Sequence, residues 1–308
     1  MSRCLLGDLV RYDGGHKRNS FIADVLSRHV EWVPICPEVE AGFGTPREAM
    51  RLVGTSTRPR LMTTRSQQDK TKSLALFAAK KLESLEVADL SGYVFKDDSP
   101  SCGVERVRIL NSKGRQSRTA VGLFARAFME RFPLIPIEED GRLCDPMRRD
   151  NFIERVFCYH RWRALARGPF TSKAVVEFHA AHKSVLLAHS AQHYQLLGRL
   201  VARVNEYRPK EFLERYGSSF MDALAVKATR RKHVNVLHHL VGHMKARLAA
   251  NERGELDALM SEYRGGLVPL VAPIGLLRHY ADRYEIDYVR TQIYVNPHPK
   301  EIQLRNHV

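Results

Sequence analysis

The 308 residues are 44% apolar and contain no long uncharged apolar run. This excludes a membrane-spanning chain and leaves one large or two ordinary globular domains. Lysine and arginine outnumber aspartate and glutamate 49 to 34, and the excess is uneven: 23 against 19 over residues 1–145, but 26 against 15 over 146–308. A near-neutral half is thus joined to a half whose charge of +11 suits a polyanion, and twelve of the fourteen histidines lie in that basic half.

The opening Met1-Ser2-Arg3-Cys4 has no apolar signal core, which places the chain in the cytoplasm, where thiols stay reduced. Five cysteines are too few to staple a chain of this length, so spaced cysteines point to metal binding or catalysis rather than disulfides.

In chain order, Cys4 to Gly15 is a short apolar start followed by turn chemistry. Asn19 can cap a helix over Ser20 to His29, and Glu31 to Ile35 reads as a buried strand. Residues 41–66, with Gly44, Pro46, Gly54, Pro59 and several arginines, read as loop. Lys70 to Glu86 is an amphipathic helix with Leu74, Phe77, Ala78 and Leu82 on one stripe. Gly92 to Phe95 is a strand, Val121 to Phe132 a helix, and Leu134 to Ile137 a last strand. Strands alternating with helices predict an α/β, Rossmann-like domain over residues 1–145 with a mainly parallel sheet and its site at the strand ends.

After Pro146 the pattern becomes helical throughout. Asn151 to Ala166, Lys173 to Tyr207, Lys210 to Tyr216, Asp222 to Arg253 and Glu255 to Tyr263 all read as helix. Leu267 to Pro273 reads as a linker before a final helix carrying Leu276, Leu277 and Tyr280. Residues 146–308 are therefore expected to form an all-α domain.

Three cysteines, Cys4, Cys36 and Cys102, each sit at a predicted strand end beside glycine or proline. Thiolates gathered from three such ends would favour zinc or an iron–sulfur cluster. Cys144 and Cys158 read as packing residues. The histidine pairs His179 with His182, His189 with His193 and His239 with His243 lack carboxylates at motif spacing, so packing or RNA-facing roles are preferred to a second metal. Lys227, Arg230, Arg231 and Lys232 form one basic cluster, and Arg161, Arg163 and Arg167 another.

Cys4-Leu5-Leu6-Gly7 with Arg11-Tyr12-Asp13-Gly14-Gly15, then Cys36-Pro37-Glu38 with Pro46-Arg47, then Ser99-Pro100-Ser101-Cys102-Gly103, resembles the TudS-type thiouracil desulfidase family across about the first 145 residues. Phe178 to Lys183, Leu187 to Ser190, Asn235 to Leu240 and Tyr263-Arg264 resemble the YbgA-like helical domain. The fusion is similar to the RudS group of tRNA 4-thiouridine desulfidases.

The resemblance implies a [4Fe-4S] cluster on Cys4, Cys36 and Cys102, with one iron open to the substrate's sulfur. Glu38 would activate water or relay protons, and Ser99 and Ser101 would assist by hydrogen bonding. Asp13 and Arg47 would orient the pocket or brace its loops. Thiolated tRNA would be the partner, gripped through Lys227, Arg230, Arg231, Lys232, Arg161 and Arg163. The rival readings are a free-base 2-thiouracil desulfidase, a nucleic-acid-binding module with a structural or sensory cluster, and a structural zinc site. No membrane is expected, and a monomer is compatible with the sequence. The family pattern has an apolar strand before its first cysteine. Only three residues precede Cys4, so either Leu5 and Leu6 carry what remains of that strand or the start lies upstream.

Overall fold

The computed structural model describes residues 1–111, 113–299, 302 and 305. The chain divides into two compact units, Met1–Cys144 and Asp145–Val308.

In the first unit the strands β1 (Met50–Gly54), β2 (Pro59–Thr63), β4 (Val107–Leu110) and β5 (Gln116–Ala120) form one sheet in the order β2-β1-β4-β5. Helix α1 (Thr71–Glu86) places Leu74 against its inner face, where Leu52, Leu61, Val107, Ile109 and Ala120 complete the core. The sheet is mixed: β1 pairs β2 and β4 pairs β5 antiparallel, and only β1 and β4 run parallel. A separate parallel pair joins β3 (Tyr93–Phe95) to β6 (Ile137–Glu139). Tyr93 and Phe95 pack there on Phe124 and Phe128 of α2 (Leu123–Arg131).

The expected Rossmann-like, mainly parallel sheet is therefore not what forms. The segment 41–66, read as loop for its arginines, proline and glycines, contains a hairpin. Its signal was period two: Arg51-Leu52-Val53 and Arg60-Leu61-Met62 alternate side chains across the sheet, the leucines fully buried. The expected strand Glu31 to Ile35 shrinks to one bridge, Ser2 with Ile35. Met1-Ser2 nevertheless does part of a strand's work, since the Ser2 amide donates to Val94 and the Arg3 amide to Ile35. Leu5 and Leu6 are not strand but lie in a 3-10 turn, Arg3–Leu6. Ser20 to His29 is a π turn, Phe21–Val25, followed by a 3-10 turn, Leu26–Arg28.

The second unit is helical: α3 (Pro146–Arg167), α4 (Ser172–His189), α5 (Ala191–Ala202), α6 (Pro209–Ala225), α7 (Arg230–Met244), α8 (Ala250–Gly265), α9 (Val271–Arg283) and α10 (Asp287–Arg290). Helices expected to be continuous are cut where a side chain caps a new start. Ser190 accepts from the His193 amide and separates α4 from α5, and Thr229 accepts from the Lys232 amide and opens α7. The expected break at Tyr216 does not occur, because Phe212, Tyr216 and Phe220 continue one buried aromatic face stacked on Trp162. The linker reading of 267–273 also fails from Val271, where α9 begins. No helix among the described residues is long and apolar enough to cross a membrane.

Candidate active site

The segments carrying the three cysteine blocks meet around a cavity of about 670 Å³ in the first unit. Cys4 reaches it from the opening 3-10 turn, which closes on Gly7 at φ 108°, a left-handed conformation glycine adopts without strain. Cys36 follows the bridge residue Ile35. Cys102 lies in the turn after β3, and that turn is pressed against α2. A Cβ on Gly122 would lie 2.6 Å from the Ser101 carbonyl, so only glycine permits this approach. In return, the opening amides of α2 are satisfied by the turn: Leu123 donates to Pro100, and Phe124 and Ala125 to Ser101.

Glu38 is held at both of its carboxylate oxygens. Arg47 forks onto its Oε2 from Nε at 2.8 Å and Nη2 at 2.6 Å, and Ser101 donates from Oγ to Oε1 at 2.8 Å. The remaining guanidinium nitrogen of Arg47 donates to the carbonyls of Val10 (2.9 Å) and Gly44 (3.0 Å). The pair is largely shielded, with Arg47 at 8% and Glu38 at 12% side-chain exposure. A carboxylate fixed at both oxygens and largely shielded from solvent is aimed rather than loose.

Cys4, Cys36, Cys102, Glu38 and Ser99 line this one cavity, and fully buried Ser101 reaches it through Glu38. Ser99 braces its own turn, where its Oγ accepts from the amides of Ser101 and Cys102 at 3.3 and 3.1 Å. Arg47 also lines the cavity, as does Lys96, which the sequence reading missed. The Lys96 ammonium faces Asp97 and Asp140, and the run Lys96-Asp97-Asp98 directly after β3 was the available signal. Asp13 instead serves its own loop, accepting from the Gly15 amide at 3.0 Å.

The expected metal centre is not supported. Among the described residues no group of three or more His, Cys, Asp or Glu side chains is placed to hold a metal ion. Burial, then the neighbouring Cys36, pushes the Cys4 thiol up to about 11, and burial also raises Cys36 and Cys102. The Cys36 Sγ, moreover, points as a donor at the Val10 carbonyl, 3.7 Å away. No ligand group for the expected [4Fe-4S] cluster or for the zinc alternative is thus found among the described residues, and the iron–sulfur assignment is withdrawn. All five cysteines are free: Cys158 is buried as expected, whereas Cys144, also read as packing, is exposed.

Of the basic residues expected to grip RNA, Lys227, Arg230 and Arg231 are exposed. Lys232 instead donates to the His189 carbonyl at 2.6 Å, and Arg161 to the Pro297 carbonyl at 2.6 Å; Arg163 is half-buried. The histidines of α4 are packing elements. His182 contacts the Phe178 carbonyl, His179 the Tyr216 hydroxyl, and His189 bridges Glu154 and the Val226 carbonyl.

Comparison with known proteins divides the chain in a similar way. The family model described as 2-thiouracil desulfurase matches residues 1–140, and one described as a protein of unknown function, DUF1722, matches residues 183–299. The uncharacterized protein YbgA of Escherichia coli (strain K12) is 32% identical over 158 residues, covering 51% of this chain and 94% of that protein. The uncharacterized protein YbbK of Bacillus subtilis (strain 168) is 33% identical over 108 residues, covering 33% of this chain and 71% of that protein. A solved structure titled [4Fe-4S]-dependent thiouracil desulfidase TudS is 28% identical with a TM-score of 0.38, covering 47% of this chain and 91% of its own.

Proposed function

We propose that this chain, which belongs with YbgA on the one hand and with YbbK on the other and joins a TudS-like desulfidase domain to a YbgA-like second domain, removes the sulfur of a thiouracil-type pyrimidine by hydrolysis. The observation that carries the reading is the clamped carboxylate of Glu38 in the cavity of the desulfidase domain.

Water is a poor nucleophile at neutral pH and needs a base at the reacting carbon. In this reading Glu38 accepts a proton from water as the oxygen adds to the thiocarbonyl carbon. The C–S bond then breaks, and the proton follows the sulfur, so thiopyrimidine and water give the oxo-pyrimidine and hydrogen sulfide with no net electron transfer. Arg47 and Ser101 hold the carboxylate in place through both steps and are positioning residues. The test is to incubate the full-length protein with 2-thiouracil and with 4-thiouracil and follow uracil and sulfide. Uracil should form from at least one of them, and Glu38→Gln should lower its rate by about 10²-fold or more. Wild-type protein that yields uracil from neither base would sink the proposal for the free base.

A second reading takes the thiopyrimidine as 4-thiouridine within tRNA. It is favoured by the +11 charge of residues 146–308, which a free base does not need. Nucleoside analysis of thiolated tRNA after incubation distinguishes the two readings.

A further inference from the structure

The outward face of the mixed sheet carries arginines where a half-exposed sheet would ordinarily vary. The pairing register sets Arg51 of β1 beside Met62 of β2, Arg51 level with Arg108 of β4, and Arg108 opposite Arg118 of β5. With strands about 4.8 Å apart, the three arginines form a row spanning roughly 10 Å. One register step along, Arg60 pairs with Val53, and Val53 lies level with Leu110. Arg60, Arg108 and Arg118 are exposed, whereas Val53, Met62 and Leu110 are half-buried between them. Arg108, in the middle of the row, also lines the active-site cavity.

Carboxylates border this face without closing it. Asp98 holds Arg108 at 2.5 Å and lies 3.8 Å from Arg118, and Asp69 holds Arg60 at 2.6 Å. These are exposed pairs of small net worth, which a phosphate can displace. The buried Nε of Arg51 has no partner among the described residues. Four guanidinium groups against two carboxylates, with apolar surface between them, match a chain of phosphates carrying flat bases.

We propose that this sheet face is a track for a polyribonucleotide strand, held by Arg60, Arg51, Arg108 and Arg118 and meeting the cavity at Arg108. The proposal rests on the reading in which the thiopyrimidine is part of an RNA. It adds that the catalytic unit carries its own RNA contacts, independently of the basic helices of the second unit. Phosphate contacts here position the strand, while the cavity reads the base.

The test uses the full-length protein with Arg60→Glu and Arg118→Glu combined. Both residues lie outside the cavity lining. The probe is an unthiolated tRNA transcript, followed by fluorescence anisotropy across a salt series. Affinity should fall by about tenfold or more, and the slope of log K against log salt should flatten by roughly 1.4 to 1.8, the equivalent of two lost phosphate contacts. Turnover of free thiouracil should be unchanged. The Arg60→Ala, Arg118→Ala pair repeats the measurement without added repulsion, in case charge reversal disturbs the sheet. Unchanged affinity and slope in both double variants would overturn the track, as would loss of thiouracil turnover together with RNA affinity. If wild-type protein consumes neither free thiouracil nor the 4-thiouridine of thiolated tRNA, the desulfidase reading fails, while anisotropy still decides the track.

Discussion

The two units treat buried charge in opposite ways. In the first, Glu38 and Arg47 meet at the wall of a cavity, where a ligand can reach them. In the second, Glu154 joins His189 at 2.8 Å and Arg305 at 2.9 Å with all three nearly inaccessible, and His233 bonds the Tyr294 hydroxyl at 2.8 Å. Both are ion-pair networks tied to the backbone, and chemistry alone would not tell them apart. Access does. The sealed network cross-links helices α3, α4 and α7, whereas the accessible one can act on a substrate.

The largest way to break this comparison is acid. Burial lowers His179 and His182 to about 4 and His233 to about 3. Their unfolded forms take up a proton near pH 6.5 while the folded forms resist, so the unfolded state binds more protons as pH falls. The stability these histidines contribute is complete above pH 6.5 and is lost progressively down to about pH 4 for His179 and His182 and about pH 3 for His233, at about 1.4 kcal/mol per unit of depression for each histidine. The first unit holds two histidines, His16 and His29, the one exposed and the other half-buried. Circular dichroism against pH should show the helical unit melting first; a transition in which both units melt together above pH 5 would contradict this.

Glu154→Ala leaves Arg305 and His189 buried without their carboxylate and should cost about 3–5 kcal/mol. Thermal denaturation should show it as a lowered helical transition, with thiouracil turnover retained at low temperature. Turnover lost along with the helices would mean that the sealed network supports the active site after all.

Arg47→Lys sharpens the comparison from the other side. A lysine keeps the charge but cannot fork onto Oε2 while holding the Val10 carbonyl, so turnover should drop about tenfold with little change in melting temperature. Smallest of all is Ser99→Ala. It removes a turn cap from the Ser101 and Cys102 amides, costs about 1 kcal/mol or less, and should leave turnover within a few-fold of wild type. A hundredfold loss would restore Ser99 to the chemistry.

Much of the candidate cavity's lining was legible because its residues lie in short fragments dense in proline, glycine and cysteine. Cys36-Pro37-Glu38 and Ser99-Pro100-Ser101-Cys102 were found from sequence, and their convergence on one cavity fits their placement beside Ile35 and β3. The partners of Glu38 were harder to see. Arg47 lies nine positions on and Ser101 sixty-three, and pairing at that range is a property of the fold rather than of spacing. The hairpin β1–β2 was lost because arginine on alternate positions reads as loop charge until the leucines between are counted as a buried face. The helical unit was legible as a class, but its breaks at Ser190 and Thr229 rest on single capping hydroxyls, a signal short enough to be hidden in a long apolar periodicity. The metal centre failed for a different reason: three cysteines can line one space without forming a ligand set.

The turn that carries Cys102 has one more consequence. Pro100 and Ser101 accept the first amides of α2, and Gly122 lets the two backbones touch, so the cavity wall is tied directly to the helix start. Deuterium uptake at Leu123, Phe124 and Ala125 therefore becomes a gauge, read from behind the pocket, of whether anything occupies it.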